Sequence, residues 1–180
     1  ILERAAAAIR RQPVASPIPD DKDFVLATLH RADNTDDPIR LRAILDAIGQ
    51  LPLPTYLAAH PRLKARCAQF DLQPGGSIRL IEPLSYPQMV QALCATSAVV
   101  TDSGGLQKEA FILGAPTVTV RSETEWTETL VNSWNVLVSN PAEIASAVGR
   151  PRPEPTRDRA FGAGDASERV VAELTNRTRS

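Results

Sequence analysis

Residues 99–109 read VVTDSGGLQKE, an apolar run that breaks at Asp-Ser-Gly-Gly and restarts with helix-forming residues. This pattern is typical of a buried strand that leads directly into a helix. The N-terminus of a helix attracts anions through its unpaired N–H groups and its dipole, and glycine lets a ligand come close because it has no Cβ. The segment therefore predicts a phosphate-binding turn at Ser103, Gly104 and Gly105, with the Ser103 hydroxyl as a further donor.

Glu109 extends this prediction, because it lies four residues after Gly105 on the same face of the predicted helix. Long side chains on a helix lean back toward its N-terminus. The Glu109 carboxylate is thus placed to accept hydrogen bonds from ribose hydroxyls next to the bound phosphates.

Composition limits the class of protein. The chain has 180 residues, 20 Lys and Arg against 21 Asp and Glu, and a formal net charge of -1. It is long enough for one substantial core, and its balanced charge provides no general attraction to nucleic acid or anionic lipid. We therefore expect one globular domain with no nucleic-acid partner and no membrane partner.

The two cysteines, Cys67 and Cys94, each lie inside an apolar helical pattern. Such positions favour buried, reduced thiols over a disulfide framework, and we expect a cytoplasmic location. The first residues, ILERAAAAIRRQ, have neither the apolar core nor the cleavage site of a signal peptide, and no initiator Met precedes them. We therefore expect this sequence to begin inside a longer protein, after a missing N-terminal domain.

Short apolar runs alternate with helix-period segments along most of the chain. Strands are predicted at 24–29, 55–59, 77–81, 98–101, 117–120 and 135–138. Helices are predicted at 38–50, 61–70, 85–95, 105–113, 125–131 and 141–148, with one more at each end of the chain. Because nearly all-apolar strands alternate with helices, we expect an α/β domain, a doubly wound parallel six-stranded sheet covered by helices on both faces.

The chain divides into three predicted segments. Residues 1–22 form a helix and linker, 23–150 a Rossmann-like domain, and 151–180 a stiff Pro-rich linker with a last helix from about Asp165. We expect the first helix to lead out of the missing domain and the last helix to cross back and pack on it.

Polar side chains follow the strands at the point where each strand ends. The strands lead into His30-Arg31-Ala32-Asp33-Asn34, His60-Pro61-Arg62, Glu82-Pro83, Asp102-Ser103-Gly104-Gly105 and Arg121-Ser122-Glu123. In open α/β sheets, ligands bind outside the carboxyl ends of the strands. A single histidine at a strand end is more often structural, but beside the glycine turn His30 becomes a candidate functional group. Arg31 and Arg121 become candidate contacts for a phosphate or carboxylate of the ligand.

Other known anion-binding patterns are missing from the sequence. No third glycine follows Gly105 at dinucleotide spacing, and G-x-x-x-x-G-K-[ST] does not occur, which argues against NAD binding and ATP hydrolysis. Two histidines about thirty residues apart, without CxxC or HExxH, make no recognisable metal site. We therefore expect no metal and no cofactor.

Six motifs occur together: TLHRADN from Thr28, HPR from His60, EPLSY from Glu82, TDSGGLQKEA from Thr101, GAPTVTVRSETEW from Gly114 and FGAGDASERV from Phe161. In this order and spacing they resemble the C-terminal domain of the non-hydrolysing UDP-N-acetylglucosamine 2-epimerases, over nearly the whole chain. In that family two Rossmann-like domains face a cleft, the glycosyltransferase-B architecture. The resemblance implies that this chain is the second of the two domains.

The resemblance also implies roles for single residues. The turn at Ser103, Gly104 and Gly105 matches the diphosphate-binding turn, and Glu109 matches the ribose-binding carboxylate. His30 matches a catalytic histidine that stabilises the departing UDP.

Four further residues also match positions of the family. Leu84 and Met89 match positions at the uracil. Arg31 and His60 match residues that, in some bacterial members, contact a second UDP-N-acetylglucosamine. The chain departs from the family pattern at Trp126, where several bacterial members carry an arginine near the ligand.

The implied reaction interconverts UDP-N-acetylglucosamine and UDP-N-acetylmannosamine. The proton at C2 is removed, UDP leaves from C1 to form a glycal, and UDP returns after C2 is reprotonated on the opposite face. The acid and base carboxylates belong to the missing domain, so we expect the isolated chain to bind UDP weakly without turnover. The full-length protein is expected to be a homodimer.

Two alternatives stay open on the sequence. One is a UDP-sugar transferase of the same two-domain architecture, and the other is a nucleotide-sugar binding module without catalysis. The exact UDP-sugar is not identified, because the sugar mostly faces the missing domain.

Overall fold

The computed structural model describes residues 2–19, 23–154, 160–162 and 166–177. Within these ranges the centre is a six-stranded sheet: β1 (Val25–Thr28), β2 (Thr55–Ala58), β3 (Ile78–Ile81), β4 (Ala98–Thr101), β5 (Thr117–Thr119) and β6 (Asn135–Leu137). All neighbouring strands are parallel, in the order β3-β2-β1-β4-β5-β6. The chain builds outward from β1 to one edge and then from β4 to the other, so the topological switch point lies between β1 and β4.

Helices connect the strands: α1 (Leu2–Arg11), α2 (Ala32–Thr35), α3 (Pro38–Gly49), α4 (Pro61–Gln69), α5 (Tyr86–Ala95), α6 (Gly104–Leu113), α7 (Ile144–Val148) and α8 (Ala166–Arg177). Two 3₁₀ segments span Thr127–Ser133 and Pro141–Glu143. The predicted fold class is confirmed, and each of the six predicted strands is present with ends that differ by at most one residue. The one-turn helix α2 was not predicted.

Successive side chains of each strand face two separate cores. In β1, Val25 and Ala27 pack in a core that includes buried residues of α3, α4 and α7. Leu26, between them, packs in the opposite core with residues of α5 and α6. The sheet is therefore buried on both faces, which explains why its strands are almost entirely apolar.

The helix predicted at 125–131 is wrong. The structure has a 3₁₀ segment at Thr127–Ser133, and Asn132 adopts a left-handed φ of 50°. Threonine hydroxyls explain the difference: Thr124 Oγ1 accepts a hydrogen bond from the Trp126 N–H, and Thr129 Oγ1 donates one to the Trp126 carbonyl. Side-chain bonds of this kind compete with the hydrogen-bond pattern of a helix.

Two caps define helix α6, which follows the glycine turn. At its start, Ser103 Oγ accepts a hydrogen bond of 3.4 Å from the Leu106 N–H. At its end, Gly114 has a left-handed φ of 72°, a conformation that glycine adopts without strain. The first turn of α6 therefore stands at a defined place above the end of β4.

The structure describes only part of the C-terminal segment, so its predictions are only partly tested. Helix α8 begins at Ala166, whereas the predicted start at Asp165 and the linker residue Pro155 lie outside the described residues. The large apolar side chains of Val170, Val171 and Leu174 on α8 are exposed. The division at 1–22, 23–150 and 151–180 stays a prediction.

Cys67 and Cys94 are both free and half-buried, and burial raises the pKa of the Cys67 thiol. A raised pKa keeps that thiol protonated and unreactive near neutral pH.

None of the described helices combines the length and the apolar character that crossing a bilayer requires.

Candidate functional site

One pocket lies at the carboxyl ends of β1 to β4, and we refer to it as the β1–β4 pocket. It is lined by Thr28, Leu29, His30, Ala58, His60, Pro83, Leu84, Met89, Ser103, Gly105, Leu106 and Glu109. The fold thus brings together the residues predicted for phosphate, ribose and uracil, because the ends of parallel strands meet at one edge of a sheet. In the described part of the chain, no group of three or more His, Cys, Asp or Glu side chains is placed to hold a metal ion.

The glycine turn gives an anion access to the pocket. Ser103 Oγ accepts the Leu106 N–H, so its own proton is available for a ligand. Gly105 is exposed, and the place where a Cβ would stand is open space. At Gly104 a Cβ would instead meet the side chains of Glu125 and Trp126. The helix N-terminus is therefore open at Gly105 and covered at Gly104.

Asp102, which precedes the turn, belongs to the candidate site, although its position in the sequence did not indicate a role. It is fully buried. Its carboxylate accepts hydrogen bonds from the N–H groups of His30 (3.1 Å) and Arg31 (2.9 Å) and from Asn34 Nδ2 (3.2 Å). One buried carboxylate thereby ties the residues after β1 to the end of β4.

His30 connects this carboxylate to the pocket. Its Nδ1 lies 3.0 Å from Asp102 Oδ1, and the ring lines the pocket. The hydrogen bond to Asp102 raises the pKa of His30, although burial and the Arg31 charge oppose this. The second histidine, His60, has its ring centre 5.6 Å from that of His30 and caps α4 by accepting the Arg62 N–H at 3.2 Å. The pocket therefore has a cation-forming group beside the glycine turn.

The side of the pocket nearer β3 and α5 is apolar. Leu84 and Met89 are half-buried there and pack against the core that lies beneath α5 and α6. Glu109 is also half-buried, and burial raises the pKa of its carboxyl. An apolar wall with one carboxylate suits a ligand that carries both a flat base and hydroxyl groups.

A second cavity lies on the other side of the β1 and β4 ends, toward β5 and β6. It is lined by Arg31, Asp33, Asn34, Arg40, Val120, Arg121, Ser122, Glu123 and Ser139. Both candidate arginines are placed here, and both approach Glu125: Arg121 Nη1 at 2.8 Å and Arg31 Nη2 at 4.0 Å. The sequence places Arg31 and Arg121 at strand ends, but it did not predict that both line this second cavity instead of the β1–β4 pocket.

Gln107 is a second buried residue whose role the sequence did not indicate, although it lies in the motif TDSGGLQKEA. Its Oε1 accepts hydrogen bonds from Thr124 Oγ1 (2.6 Å) and Asn135 Nδ2 (3.1 Å), and Asn135 Nδ2 also donates to Thr129 Oγ1 at 2.9 Å. These bonds fasten the 3₁₀ segment to α6. They thereby hold Glu125 next to the glycine turn.

Trp126, the departure from the family pattern, packs in a cluster with Lys108 and Phe161. The Lys108 ammonium lies 4.7 Å from the centre of each aromatic ring. A cation between two aromatic faces is stabilised by both. The cluster holds the chain around Phe161 against α6.

Comparison with known proteins identifies the same family that the sequence motifs resemble. A family model described as UDP-N-acetylglucosamine 2-epimerase matches residues 2–175. A UDP-2,3-diacetamido-2,3-dideoxy-D-glucuronate 2-epimerase from Pseudomonas aeruginosa is 37% identical over 171 residues, which are 91% of this chain and 48% of that protein. A UDP-N-acetylglucosamine 2-epimerase from Methanocaldococcus jannaschii is 35% identical over 166 residues, 86% of this chain and 45% of that protein.

A solved structure of the M. jannaschii UDP-N-acetylglucosamine 2-epimerase, in complex with UDP-N-acetylglucosamine and UDP, is similar with a TM-score of 0.76 and 31% identity. The similarity covers 97% of this chain and 51% of that one. The chain thus spans about half the length of the relatives it matches, as expected from the resemblance. On the family match, which covers nearly the whole chain, this protein belongs to the UDP-N-acetylglucosamine 2-epimerase family.

Proposed function

We propose that this chain is the UDP-binding half of a UDP-sugar 2-epimerase. The observation that carries the proposal is the β1–β4 pocket, which joins an open anion-binding turn, a histidine with a raised pKa and a carboxylate to an apolar wall. A nucleoside diphosphate presents the matching groups in the same order: phosphates, ribose hydroxyls and base.

In this proposal the nucleotide binds in one orientation. The diphosphate lies over Ser103 and Gly105, where the helix N-terminus is open. Glu109 accepts from the ribose hydroxyls, one helical turn further on, and the uracil packs against Leu84 and Met89. The sugar then extends to the other side of the glycine turn, toward β5.

This half of the protein supplies leaving-group stabilisation. When the C1–O bond breaks, the electron pair stays on UDP, and charge grows on the oxygen that faces the glycine turn and His30. Donors that are oriented before the reaction stabilise that charge without reorganising. The carboxylates that remove and return the C2 proton lie in the other half of the protein in this proposal.

The substrate is a UDP-2-acetamido sugar in this proposal. The two relatives described above are named for different sugars, UDP-2,3-diacetamido-2,3-dideoxy-D-glucuronate and UDP-N-acetylglucosamine. Their common part is UDP on a 2-acetamido sugar, and this half of the protein would recognise the UDP. A homodimeric full-length protein and a cytoplasmic location stay predictions.

Calorimetric titration of this chain with UDP and ADP tests the binding proposal. We expect measurable UDP binding, weaker ADP binding, and a loss of about tenfold in UDP affinity in Glu109→Ala, since a carboxylate bonded to hydroxyls contributes a charge-assisted hydrogen bond. Glu143→Ala, which removes an exposed acid near β6, is the matched control and should bind as the parent chain does. Equal affinities for ADP and UDP, or equal effects of the two substitutions, would contradict the proposal.

Turnover separates the epimerase from the binding module. The full-length protein is expected to epimerise one of the two UDP-sugars named above, whereas these 180 residues alone are expected to bind without turnover. A full-length protein that binds UDP-sugars without epimerising them would support the non-catalytic alternative.

A further inference from the structure

The contacts of Asp102 indicate a role beyond holding the turn. Its two oxygens accept the N–H groups of His30 and Arg31, the side-chain amide of Asn34 and the His30 ring. Among the described residues, the side chains that donate to it are those of Asn34 and His30, and no lysine or arginine side chain does so. His30 is therefore the donor that can bring a positive charge to this buried carboxylate.

We propose that Asp102 is the positioning residue for His30: it holds the ring by Nδ1 and keeps Nε2 directed into the β1–β4 pocket as a charged donor. This inference rests on the proposed function, because the group that Nε2 serves is the diphosphate of the departing nucleotide. Without the Asp102 contact, the ring of His30 would be free to rotate about its χ angles, and its charge would have no buried counterpart.

Within the described part of the chain, the groups with charge or the ability to titrate that contact or influence His30 are Asp102 at the end of β4, His60 at the end of β2, and the neighbouring Arg31. The hydrogen bond to Asp102 is the largest influence on His30 and raises its pKa. Burial acts to raise the pKa of Asp102, but the hydrogen bonds from His30, Arg31 and Asn34 and the charge of His30 together outweigh it, and the net direction is down. Both directions agree with an imidazolium paired to a carboxylate.

A second layer of contacts keeps the Asp102 carboxylate from turning. Asn34 is buried, and its Nδ2 donates both to Asp102 Oδ2 and to the Val120 carbonyl at 2.9 Å. Asn34 Oδ1 in turn accepts a hydrogen bond of 2.9 Å from Arg40 Nε. The orientation of His30 is therefore set from the ends of β4 and β5 and from α3.

The histidine content makes this proposal directly measurable. The chain has two histidines, so NMR titration of their ring signals from about pH 5 to about pH 9 follows His30 and His60 separately, and His30→Gln assigns them. In the parent chain we expect the pKa of His30 to lie above its ordinary value of about 6.5. In Asp102→Asn it should fall to that value or below.

UDP affinity supplies the functional readout. Because Nε2 donates only while the ring is protonated, UDP binding should weaken by about tenfold as the pH rises through the raised pKa of His30. Asp102→Asn should move that weakening to lower pH, and His30→Gln should remove it. The conservative Asp102→Glu should restore part of the shift in pKa, which a purely structural role would not do.

The outcomes are distinguishable. If the pKa of His30 in the parent chain lies at or below its ordinary value, the positioning role of Asp102 is wrong, and this result does not require any variant of Asp102 to fold. If His30 titrates as expected but UDP does not bind at any pH, the proposed function is wrong and the pairing stands. If UDP binds with an affinity that is independent of pH while His30 titrates, the charged-donor role is wrong.

Discussion

The two sides of the β1–β4 pocket are built in different ways. On the side of the glycine turn, a fully buried carboxylate and its donors fix the backbone after β1 and the ring of His30. On the side of β3 and α5, half-buried Leu84 and Met89 form a wall through packing alone. Charge that develops during a reaction needs donors oriented in advance, whereas a base needs apolar area of the right shape.

The largest expected effect concerns stability on the glycine-turn side. Asp102→Ala leaves the N–H groups of His30 and Arg31 and the Asn34 amide without their acceptor. We expect the free energy of unfolding to fall by on the order of 3 kcal/mol, measured by urea denaturation. Met89→Ala, on the apolar side, is the comparison. Its free energy of unfolding should fall by about 1 kcal/mol, because the Met89 side chain is half-buried. Equal losses in the two variants would mean that both sides depend on packing in the same way.

The next effect separates ligand access from folding. Gly105→Ala places a methyl group in open space, so the chain should fold with undiminished stability, and a helix favours alanine over glycine. The same methyl group stands where phosphate must approach the helix N-terminus, and we expect UDP and inorganic pyrophosphate both to bind about tenfold more weakly or worse. Calorimetry and thermal unfolding on the same sample check this. Unchanged pyrophosphate binding would place the phosphates elsewhere.

Met89→Ala should affect UDP and pyrophosphate differently, whereas Gly105→Ala should weaken the binding of both. Loss of half-buried apolar area beside the base should weaken UDP binding by about fivefold. Pyrophosphate has no base, so its binding should not change. A parallel loss for both ligands would show that Met89 shapes the turn rather than the base wall.

The smallest effect tests the carboxylate that covers Gly104. Glu125 is 48% exposed, pairs with Arg121, and has a pKa lowered by hydrogen bonds from its own backbone and from Arg121. Glu125→Gln removes a negative charge next to the incoming phosphates, and we expect UDP affinity to rise by about twofold to threefold at low salt. Glu128→Gln, the same charge change on the exposed start of the 3₁₀ segment, should have no such effect. A decrease in Glu125→Gln would instead make Glu125 a ligand contact.

Much of the fold could be predicted because its determinants are local. Apolar strands separated by helix-period segments indicate a parallel sheet covered on both faces, and each predicted strand is present. The segment after β5 could not be predicted in the same way. Its helix-like composition is overridden by hydrogen bonds of the Thr124 and Thr129 hydroxyls. Thr124 bonds to Gln107 of α6, and Thr129 accepts a hydrogen bond from Asn135 of β6.

The candidate site could be located from the sequence where a residue type carries its own chemistry. A glycine turn before a helix and a glutamate one turn later indicate phosphate and ribose from local spacing alone. Asp102 was missed because its partners, His30 and Arg31, are about seventy positions away and meet it only when β1 and β4 pair. The side on which Arg31 and Arg121 lie was unpredictable for the same reason, since it depends on the neighbouring strands.

The manner in which Asp102 holds the residues after β1 has an evolutionary consequence. At residue 31 it contacts the backbone N–H, a group that every amino acid except proline provides. The side chain at that position can therefore change by mutation while the loop keeps its shape. Arg31 lines the cavity toward β5 and β6, so the residue at this position can change without disturbing the backbone beside the β1–β4 pocket.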